Sequence, residues 1–478
     1  MRIIYGTVLG LALGIAAGLS GASAQDRPLF STNESLSPGQ SSVPFHENEL
    51  ANSQTDAIGY GAGEIVSTNA EFNYSANSMI LERLSALESE LYSLRSESLV
   101  EQVEEKPAKP TFELGGRIHL DYWNFAKSSP GIGFFEHPPM MPATPIDGTD
   151  PEDRWAFRRV RMEFEGDIPE NLFWRMQVDF NTVEDGEFKD VYMGMKGLPL
   201  NQRVTLGFHK RPIGLDHWNS SRFNVFTERP FVVEAFNEDT RRLGLSMSGH
   251  NDEESWFWQY GLYNLENFKD DGKYIGDSSN LSLNARIGGS PWYEDEEHWS
   301  HWAIAGMIGY PDGDTNASET NRNDGRFFTR PEARTDARWL DTGRIAGINH
   351  YDILALEGML NLGPLQLTGE YMHNWVSRNA ASGPDLDFYG YYFYAAYFLT
   401  GDAMTYKRDV GMLDRPNIRN SFFFAKDRFG EYHANSWGAW QVAFRYSFLD
   451  ITDGTGPTAV MGGVGESYTY AVNWWVSP

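Results

Sequence analysis

From Phe112 onward, apolar and polar positions along the chain alternate with a period of two. In residues 172–181, five apolar side chains alternate with four polar ones, which include Arg175 and Asp179. Segments of this kind run close to the roughly 9–11 residues that an oblique strand needs to cross a membrane. We place fourteen of them, near 112–126, 154–166, 171–181, 187–197, 203–211, 240–249, 254–264, 278–289, 300–310, 350–361, 364–376, 388–400, 436–450 and 466–476. The pattern predicts an all-β fold, an antiparallel transmembrane β-barrel with lipid outside and water inside.

The connections between these segments alternate in length. Short connections lie at 167–170, 198–202, 250–253 and 362–363, and long ones at 127–153, 212–239 and 311–349. Short periplasmic turns and long external loops produce such an alternation in outer-membrane barrels. The linker at 401–435 breaks the alternation, and no sequence pattern explains its length.

Ahead of the alternating region, a helical period appears. Apolar side chains follow a 4-3-4-3 spacing, with Glu and Arg between them, at Ile80, Leu84, Leu87, Leu91 and Leu94. This heptad seam predicts a short coiled-coil helix over 77–105, preferably a trimer in the periplasm. Fewer than three heptads are marginal for an isolated helix, so a monomeric amphipathic helix is the alternative. A proline-containing linker, 106–111, follows.

The beginning of the chain predicts export. Residues 1–24 run from Arg2 through an apolar stretch to Ala22-Ser23-Ala24, a small-residue cleavage pattern. These features predict a signal peptide, with a single anchor helix as the alternative. Residues 25–76 are rich in Ser, Asn, Gly, Glu and Pro without a sustained period, so we expect a disordered leader. The barrel then occupies 112–478.

Composition narrows the choice of fold and partner. The mean hydropathy of −0.47 is too low for a helical membrane protein. The chain has no cysteine, which excludes a disulfide framework and thiol chemistry. The formal net charge is −27, and −27 − 1 = −28 once Arg2 leaves with the signal peptide, which argues against nucleic acid as a partner. An anion channel is still possible, because the charges next to a narrow passage determine which ions it admits. Distant loop acids are screened within about 8 Å.

Motifs of enzymes are missing from the sequence. It contains no GxSxG, HExxH or P-loop motif and no repeated metal spacing. The grouped acids at 252–254 and 294–297 lie in or next to predicted turns, without a base, nucleophile and orienting group arranged together. We therefore expect neither catalysis nor a cofactor or metal.

Arginine is the candidate chemistry of the lumen. Its guanidinium stays charged and presents two parallel donors to an oxyanion. In the cluster Arg158, Arg159 and Arg161, counting by two places Arg159 and Arg161 in the lumen and leaves Arg158 outward unless it sits above the bilayer. Arg117 lies on the polar face of the first segment. The competing interpretation is that these side chains form salt bridges with nearby acids.

Two long loops supply further candidates. The loop 212–239 is the third external loop by our count, is rich in aromatic and hydroxyl side chains and is too long for a simple hairpin. In a later loop, arginines recur every four residues at Arg326, Arg330, Arg334 and Arg338. On an extended strip these groups can form a ladder that lowers an anion from the mouth. Interleaved acids favour the alternative of a solvated, self-paired loop.

Short motifs in a fixed order resemble the phosphate-selective porin O and P family over roughly 112–478. They are FELGGR (112–117), FRRVR (157–161), FKDVY (188–192), GLDHWNSSR (214–222), ERP (228–230), RRLG (241–244), LTGD (399–402), GAW (438–440) and YAVNWW (470–475). The resemblance implies a trimeric sixteen-stranded barrel with an inward-folded loop and arginines that guide anions. Family members continue for two more strands, whereas this chain stops at Pro478, so we expect a truncated sequence or an altered closure.

The resemblance also implies an anion site. It assigns to that site the positions Arg158, Arg159, Ser220, Ser221 and Arg229, and an arginine ladder above them. His217 stands where phosphate-specific members have a lysine, and Lys189 where they have an aspartate. A histidine that is neutral at pH 7 weakens the fixed field and makes it pH-dependent, so phosphate preference does not automatically carry over.

These patterns predict an outer-membrane porin, a water-filled, anion-selective channel for phosphate or similar small anions. We expect a homotrimer in outer-membrane lipid with its N-terminal segment in the periplasm. The alternative is a general porin for organic anions or sugars, with an envelope-tethering role for the coiled coil.

Overall fold

The computed structural model describes residues 79–92, 109–126, 129, 131–169, 171–181, 186–237, 239–265, 280–311, 325–427 and 429–477. These residues belong to two compact units, one containing the helix at 79–92 and the other beginning at Pro110. The predicted signal peptide and leader, Leu94 and most of the predicted linker lie outside the described residues. None of the helices within the described ranges is long and apolar enough to cross a membrane.

Helix α1 spans 79–92, inside the predicted 77–105. All its described seam residues are exposed, with Ile80, Leu84, Leu87 and Leu91 between 50% and 68% accessible. The association of this helix with other copies stays a prediction.

The second unit is built from antiparallel strands. In chain order they are β1 Glu113–Trp123, β2 Arg154–Ile168, β3 Leu172–Asp179, β4 Glu187–Leu198, β5 Gln202–Lys210, β6 Arg241–His250, β7 Trp256–Asn264, β8 Leu281–Gly289, β9 His298–Tyr310, β10 Phe328–Thr329, β11 Leu340–Asp341, β12 Ile348–Leu362, β13 Leu365–Arg378, β14 Leu386–Phe398, β15 Tyr406–Lys407, β16 Met412–Leu413, β17 Ala439–Asp453 and β18 Val460–Trp475. The helices of this unit are short, α2 Ile132–Glu136, α3 Leu215–Trp218, α4 Phe231–Phe236 and a 3-10 turn at Gly456–Thr458.

Fourteen long strands form one sheet in which each pairs with the next, in the order β1 to β9, β12, β13, β14, β17 and β18. Each predicted segment overlaps one of these strands, so the predicted antiparallel fold is confirmed. The short strands pair as β10–β11 and β15–β16 within loops. Among the described residues no ladder joins β1 to β18.

The two faces of the sheet have the composition of an outer-membrane barrel wall. On β13 the buried, inward positions include Gln366, Glu370 and Asn374, whereas the exposed, outward positions include Leu367 and Trp375. Polar side chains inside and apolar side chains outside invert the pattern of a water-soluble protein.

The sheet curves around the loop 211–240. This loop contacts Arg117 on β1, Glu370 on β13 and Asn473 on β18, so strands from both ends of the sheet surround it. One part of the lumen is therefore packed, with the loop folded inward as the resemblance implied. Apolar side chains of this loop form a buried cluster with those of the loop 325–347 and of the later strands.

The segment 399–438, whose length the sequence left unexplained, also folds inward. Trp299 Nε1 donates to the carbonyl of Met404, and Arg286 donates to the carbonyls of Val410 and Gly411. The same segment meets the loop 211–240, because Trp218 Nε1 donates to the Val410 carbonyl at 3.0 Å. The segment is therefore long because it folds into the lumen, as the loop 211–240 does, but from the opposite end of the barrel.

Candidate functional site

One wall of the candidate site is the loop 211–240. Gly214 directly precedes α3 and has a φ of 81°, a conformation that favours glycine. The next N–H, of Leu215, donates to both carboxylate oxygens of Glu370 at 3.1 Å. The apolar side of the loop packs on the later strands, which leaves its polar side for the first strands.

The polar side of this loop faces β1 and β2. It carries hydroxyl, carboxylate and guanidinium groups that reach across to inward side chains of these strands. The contacts are Arg117 to Ser220, Arg158 to Glu228 and Arg222 to Glu163. The structure thus brings together Arg117, the 158–161 cluster and the loop residues predicted for the anion site.

The predicted outward orientation of Arg158 is wrong. Strict alternation fails because the register of β1 and β2 shifts between His119 and Leu120, which pair with Arg159 and Phe157. Arg158 is the extra residue of this β-bulge, and a bulge re-aims the side chains around it. Arg158 and Arg159 therefore both lie inside, Arg158 against the inward loop and Arg159 with Nη1 3.2 Å from His119 Nδ1.

Several of the predicted arginines are held by acids, as the competing interpretation expected. Each of three has a carboxylate partner at 2.6–3.1 Å, and the pairs are Arg158 with Glu228, Arg161 with Asp179, and Arg229 with Glu234. Such pairs present little net charge to a passing ion, although their donors remain oriented.

A second set of cations lacks an acid partner. Within the part of the chain that the structure describes, no carboxylate lies within 4.0 Å of the charged groups of Arg117, Arg159 or Lys210. Lys210 Nζ instead donates to the carbonyls of Trp218 and Asn219, both at 3.0 Å. The positive charges of these three groups are therefore not cancelled at ion-pair distance by any described carboxylate.

Sequence reasoning missed Lys210. A signal was present, because two basic pairs, Lys210-Arg211 and Arg241-Arg242, flank the inward loop on both sides. Arg241 is itself neutralised by a two-point ion pair with Asp190, at 2.8 and 2.9 Å. Basic residues on both sides of an inward loop are thus a useful marker of a candidate site. Only the structure shows which of them form ion pairs with an acid.

His217 is buried in the inward loop, 3% exposed. Neither ring nitrogen has a hydrogen-bond partner among the described residues, and Nε2 lies 3.7 Å from Glu234 Oε1. Burial, followed by the positive charges of Arg229 and Lys210, lowers the pKa of His217 well below its usual value. The ring is therefore neutral at pH 7, as the sequence suggested, but it titrates well below the range expected of an ordinary histidine.

The remaining predicted site positions differ in their surroundings. Ser220 Oγ accepts from Arg117 Nη1 at 3.5 Å and from the Arg222 N–H at 3.4 Å. Ser221 is half-buried beside it. Lys189 forms an ion pair with Glu187 at 2.7 Å. The role of these residues in binding an ion stays a prediction.

The four arginines of the predicted ladder do not share one environment. Arg326 forms an ion pair with Asp341, and the guanidinium of Arg338 lies 4.1 Å from the Phe328 ring centre. Arg330 Nε donates to the Thr335 carbonyl at 2.7 Å.

The charges of Arg158 and Glu228 in the candidate site act on the pKa of Arg334. Burial, and then the positive charge of Arg158, lowers its pKa to about 10. The ladder is therefore still a prediction for Arg330 and Arg334, while Arg326 is tied to an acid in the exposed part of the loop.

A fourteen-stranded antiparallel sheet with an apolar outer face and inward-folded loops lined by charge defines an outer-membrane β-barrel of the porin class. The family model described as phosphate-selective porin O and P matches residues 144–478. The chain belongs to this family, which confirms the resemblance seen in the motifs.

Similar proteins are distant in sequence. An uncharacterized protein of Caulobacter vibrioides is 25% identical over 329 residues, which cover 66% of this chain and only 59% of that relative's length. Porin O of Pseudomonas aeruginosa is 22% identical over 402 residues, covering 77% of this chain and 80% of that protein.

Among solved structures, a loop L8 deletion mutant of OmpT, an outer membrane protein of Vibrio cholerae, matches with a TM-score of 0.35 and 9% identity, over 77% of this chain and 100% of that one. The trimer form of in-vitro folded OmpT from the same organism matches with a TM-score of 0.32 and 9% identity, over 76% and 100%.

Proposed function

We propose that this protein is an anion-selective channel for passive diffusion across the outer membrane. The observation that carries the proposal is the set of three lumenal cations, Arg117, Arg159 and Lys210, without a carboxylate within ion-pair distance in the described chain. In a narrow site of low dielectric, such charges act on a passing ion more strongly than exposed loop acids do. They attract anions and repel cations although the whole chain is acidic.

The solute is phosphate or a similar small anion. The Ser220 hydroxyl, whose oxygen accepts from Arg222 N–H, can donate its own proton, and the guanidinium of Arg159, which has no described carboxylate partner, adds further N–H groups. Together they offer the directional hydrogen bonds that an oxyanion needs in place of water. Neutral His217 favours the broader alternative, a general porin for organic anions or sugars, because it contributes no fixed charge.

The assembly that we propose is a homotrimer in outer-membrane lipid, exported through the signal peptide, with the N-terminal segment in the periplasm. Short connections such as 363–364 between β12 and β13 then lie at the periplasmic end of the barrel. An envelope-tethering role for the N-terminal region is the accompanying structural hypothesis.

Planar-bilayer recordings test the channel. In a KCl gradient we expect a reversal potential of the sign that chloride permeation gives. Addition of phosphate is then expected to reduce the chloride current. Cation preference would refute the proposal, whereas chloride conduction without phosphate block would leave the general anion channel.

Selectivity is also expected to depend on pH through Asp409 in the segment 399–438. Burial raises the pKa of Asp409 to about 6, opposed by the charge of Arg203. The carboxylate is therefore negative at pH 7.5 and neutral at pH 5, so the chloride-to-potassium permeability ratio rises on acidification. For an ion passing about 10 Å away, one charge contributes about 0.4 kcal/mol in water. Its effects on chloride and on potassium have opposite signs, so the ratio changes by about 0.8 kcal/mol, which is roughly fourfold.

The matched variant is Asp409→Asn, which removes the charge at every pH. At pH 7.5 it is expected to have the raised ratio already and to change less on acidification. If the variant and the unmodified protein show parallel pH profiles, Asp409 is not the titrating group.

A further inference from the structure

A hairpin at one end of the barrel exposes large aromatic side chains. It spans residues 422–437, the part of the segment 399–438 that follows the contacts inside the lumen, and we call it the rim hairpin. Its most exposed aromatic side chains are between 62% and 77% accessible, and they are Phe424, Phe429, Tyr432 and Trp437. A contiguous apolar patch of this kind marks a surface that another phase or molecule covers.

The backbone of the rim hairpin holds these rings in place. The N–H of Phe423 donates to the carbonyl of Ser436 at 3.0 Å. Nearer the turn, the N–H of Asp427 donates to the carbonyl of Glu431 at 2.9 Å. One carboxylate oxygen of Asp427 accepts from the N–H groups of Phe429 and Glu431, both at 2.8 Å. The exposed rings therefore belong to an ordered turn, so little further ordering opposes their burial against a partner.

The rim hairpin continues the outer surface of the barrel wall. Trp474 on β18 points outward, because the preceding residue, Asn473, donates to a carbonyl of the loop 211–240 in the lumen. Trp440, its partner in register on β17, stacks on it with ring centres 5.6 Å apart. From the hairpin, the Phe422 ring lies edge-on to Trp474 at 5.3 Å, and Trp474 Nε1 donates to the Trp437 carbonyl at 2.6 Å. The aromatic surface thus runs without a break from the wall onto the hairpin.

This continuity identifies what covers the hairpin. The outward side chains of the wall meet lipid, so a surface that extends them past the ends of the strands meets the zone between acyl chains and headgroups. Aromatic side chains are enriched at that depth. Lys426 is exposed beside these rings, with Nζ 5.5 Å from the centre of the Tyr432 ring. Its aliphatic stem can lie along the apolar surface while the ammonium reaches a headgroup phosphate.

We propose that the rim hairpin inserts its aromatic side chains into the phospholipid interface at this end of the barrel. Outward residues of the strands form the aromatic girdle of an ordinary barrel, whereas here a connection outside the wall makes the contact. That the leaflet is the periplasmic one rests on the orientation proposed above. The lipid contact holds one part of the segment 399–438, and the bond from Arg286 to the Val410 carbonyl holds another part inside the lumen.

Quenching by spin-labelled lipid tests the insertion, and the chain has no cysteine of its own to interfere with labelling. The full chain carrying Phe429→Cys is labelled with a fluorophore and reconstituted into vesicles of phosphatidylethanolamine and phosphatidylglycerol. Phospholipid with a spin label near the top of its acyl chain is expected to quench this fluorophore several-fold more than the same fluorophore at Glu253→Cys. Glu253 is the matched control, because it is exposed in the connection between β6 and β7 at the same end of the barrel.

Two further positions make the result decisive. Leu367→Cys, on the outward face of β13, gives the quenching of a side chain in lipid, and Tyr432→Cys repeats the measurement at a second ring of the hairpin. If Leu367→Cys is quenched strongly while Phe429→Cys and Tyr432→Cys are quenched no more than Glu253→Cys, the insertion is wrong. Fluorophores on the hairpin that are shielded from lipid and from aqueous iodide alike would also overturn it, in favour of a protein partner such as a second copy.

The same preparations separate this inference from the channel proposal. Each labelled protein is also examined in planar bilayers, where anion conduction shows that the barrel is folded and open. Conduction without quenching at the hairpin would refute the lipid contact and leave the channel in place. Quenching at the hairpin in a protein that prefers cations would support the lipid contact and refute the anion channel.

Discussion

Replacing Arg286 with alanine is expected to destabilise the barrel by about 3–5 kcal/mol, the usual cost of leaving one member of a buried ion pair alone. The side chains of Arg286 and Glu357 have no solvent exposure, and their closest atoms lie 2.7 Å apart. The guanidinium also lies 4.8 Å from the Phe257 ring centre. Its removal leaves a buried carboxylate whose remaining ion-pair contact among the described residues is that with His301 Nε2 at 3.4 Å.

The same substitution is expected to change conduction. Arg286 donates to the carbonyls of Val410 and Gly411 at 3.1 and 2.9 Å, which fixes the segment 399–438 inside the barrel. Without these bonds the segment loses its anchor, and single-channel conductance should rise and become noisier. Urea unfolding in detergent micelles measures the first effect, and single-channel recording measures the second.

A double variant separates the two effects. Arg286→Met with Glu357→Met removes both charges, and replacing a buried pair by apolar side chains of similar size is often neutral for stability. We expect unfolding to return toward that of the unmodified protein while conductance stays raised, because methionine cannot hold the two carbonyls. Arg286→Ala with unchanged unfolding and unchanged conductance would contradict both roles.

The strands were predictable because their signal is local. Alternation between lipid and lumen is written into each segment, so the fourteen long strands match the predicted ones, most closely in the middle of each. Arg161 and Asp179 are direct cross-strand partners in register. Once the neighbouring strands are aligned, such a pair can be read from the sequence.

The bulge at Arg158 was not predictable from alternation. One extra residue reverses the phase of every side chain beyond it, and the sequence FRRVR carries no local mark of where that residue lies. The partner of Arg158 is Glu228, 70 positions away in the chain, in a loop that returns into the lumen. Only the tertiary fold decides that this arginine faces inward and is neutralised there.

The positions of the two inward-folded segments also could not be predicted from local sequence patterns. The loop 211–240 was suspected because it is long and rich in aromatic residues, yet its apolar side proved to be a packed core. The segment 399–438 had no such signal, because its position depends on contacts such as that between Arg286 and Val410, 124 positions apart. A side chain can hold a loop by a hydrogen bond to a single carbonyl that is far away in the chain. The local alternation of apolar and polar residues carries no information about such a partner.

Arg159→Ala is expected to lower the chloride-to-potassium permeability ratio about tenfold. A unit charge about 6 Å from a passing ion contributes about 0.7 kcal/mol in water. Its effects on chloride and on potassium have opposite signs, so the ratio changes by about 1.4 kcal/mol, which is tenfold, and by more where the effective dielectric constant is lower. Arg159 is 7% exposed and has no carboxylate within ion-pair distance in the described chain, so its charge is not cancelled locally. Reversal potentials in a KCl gradient measure the ratio.

Two variants isolate the charge from other consequences of the substitution. Arg159→Lys keeps the positive charge and should retain most of the selectivity, although it loses the planar pair of donors and so weakens any phosphate block. Arg326→Ala is the matched control, because that guanidinium is 41% exposed, is paired with Asp341 and lies in a loop where solvent screens it. If Arg326→Ala lowers the ratio as much as Arg159→Ala does, selectivity comes from the general field of the mouth. If only Arg159→Ala lowers it, selectivity resides in the constriction that the inward loop forms with the bulged strand.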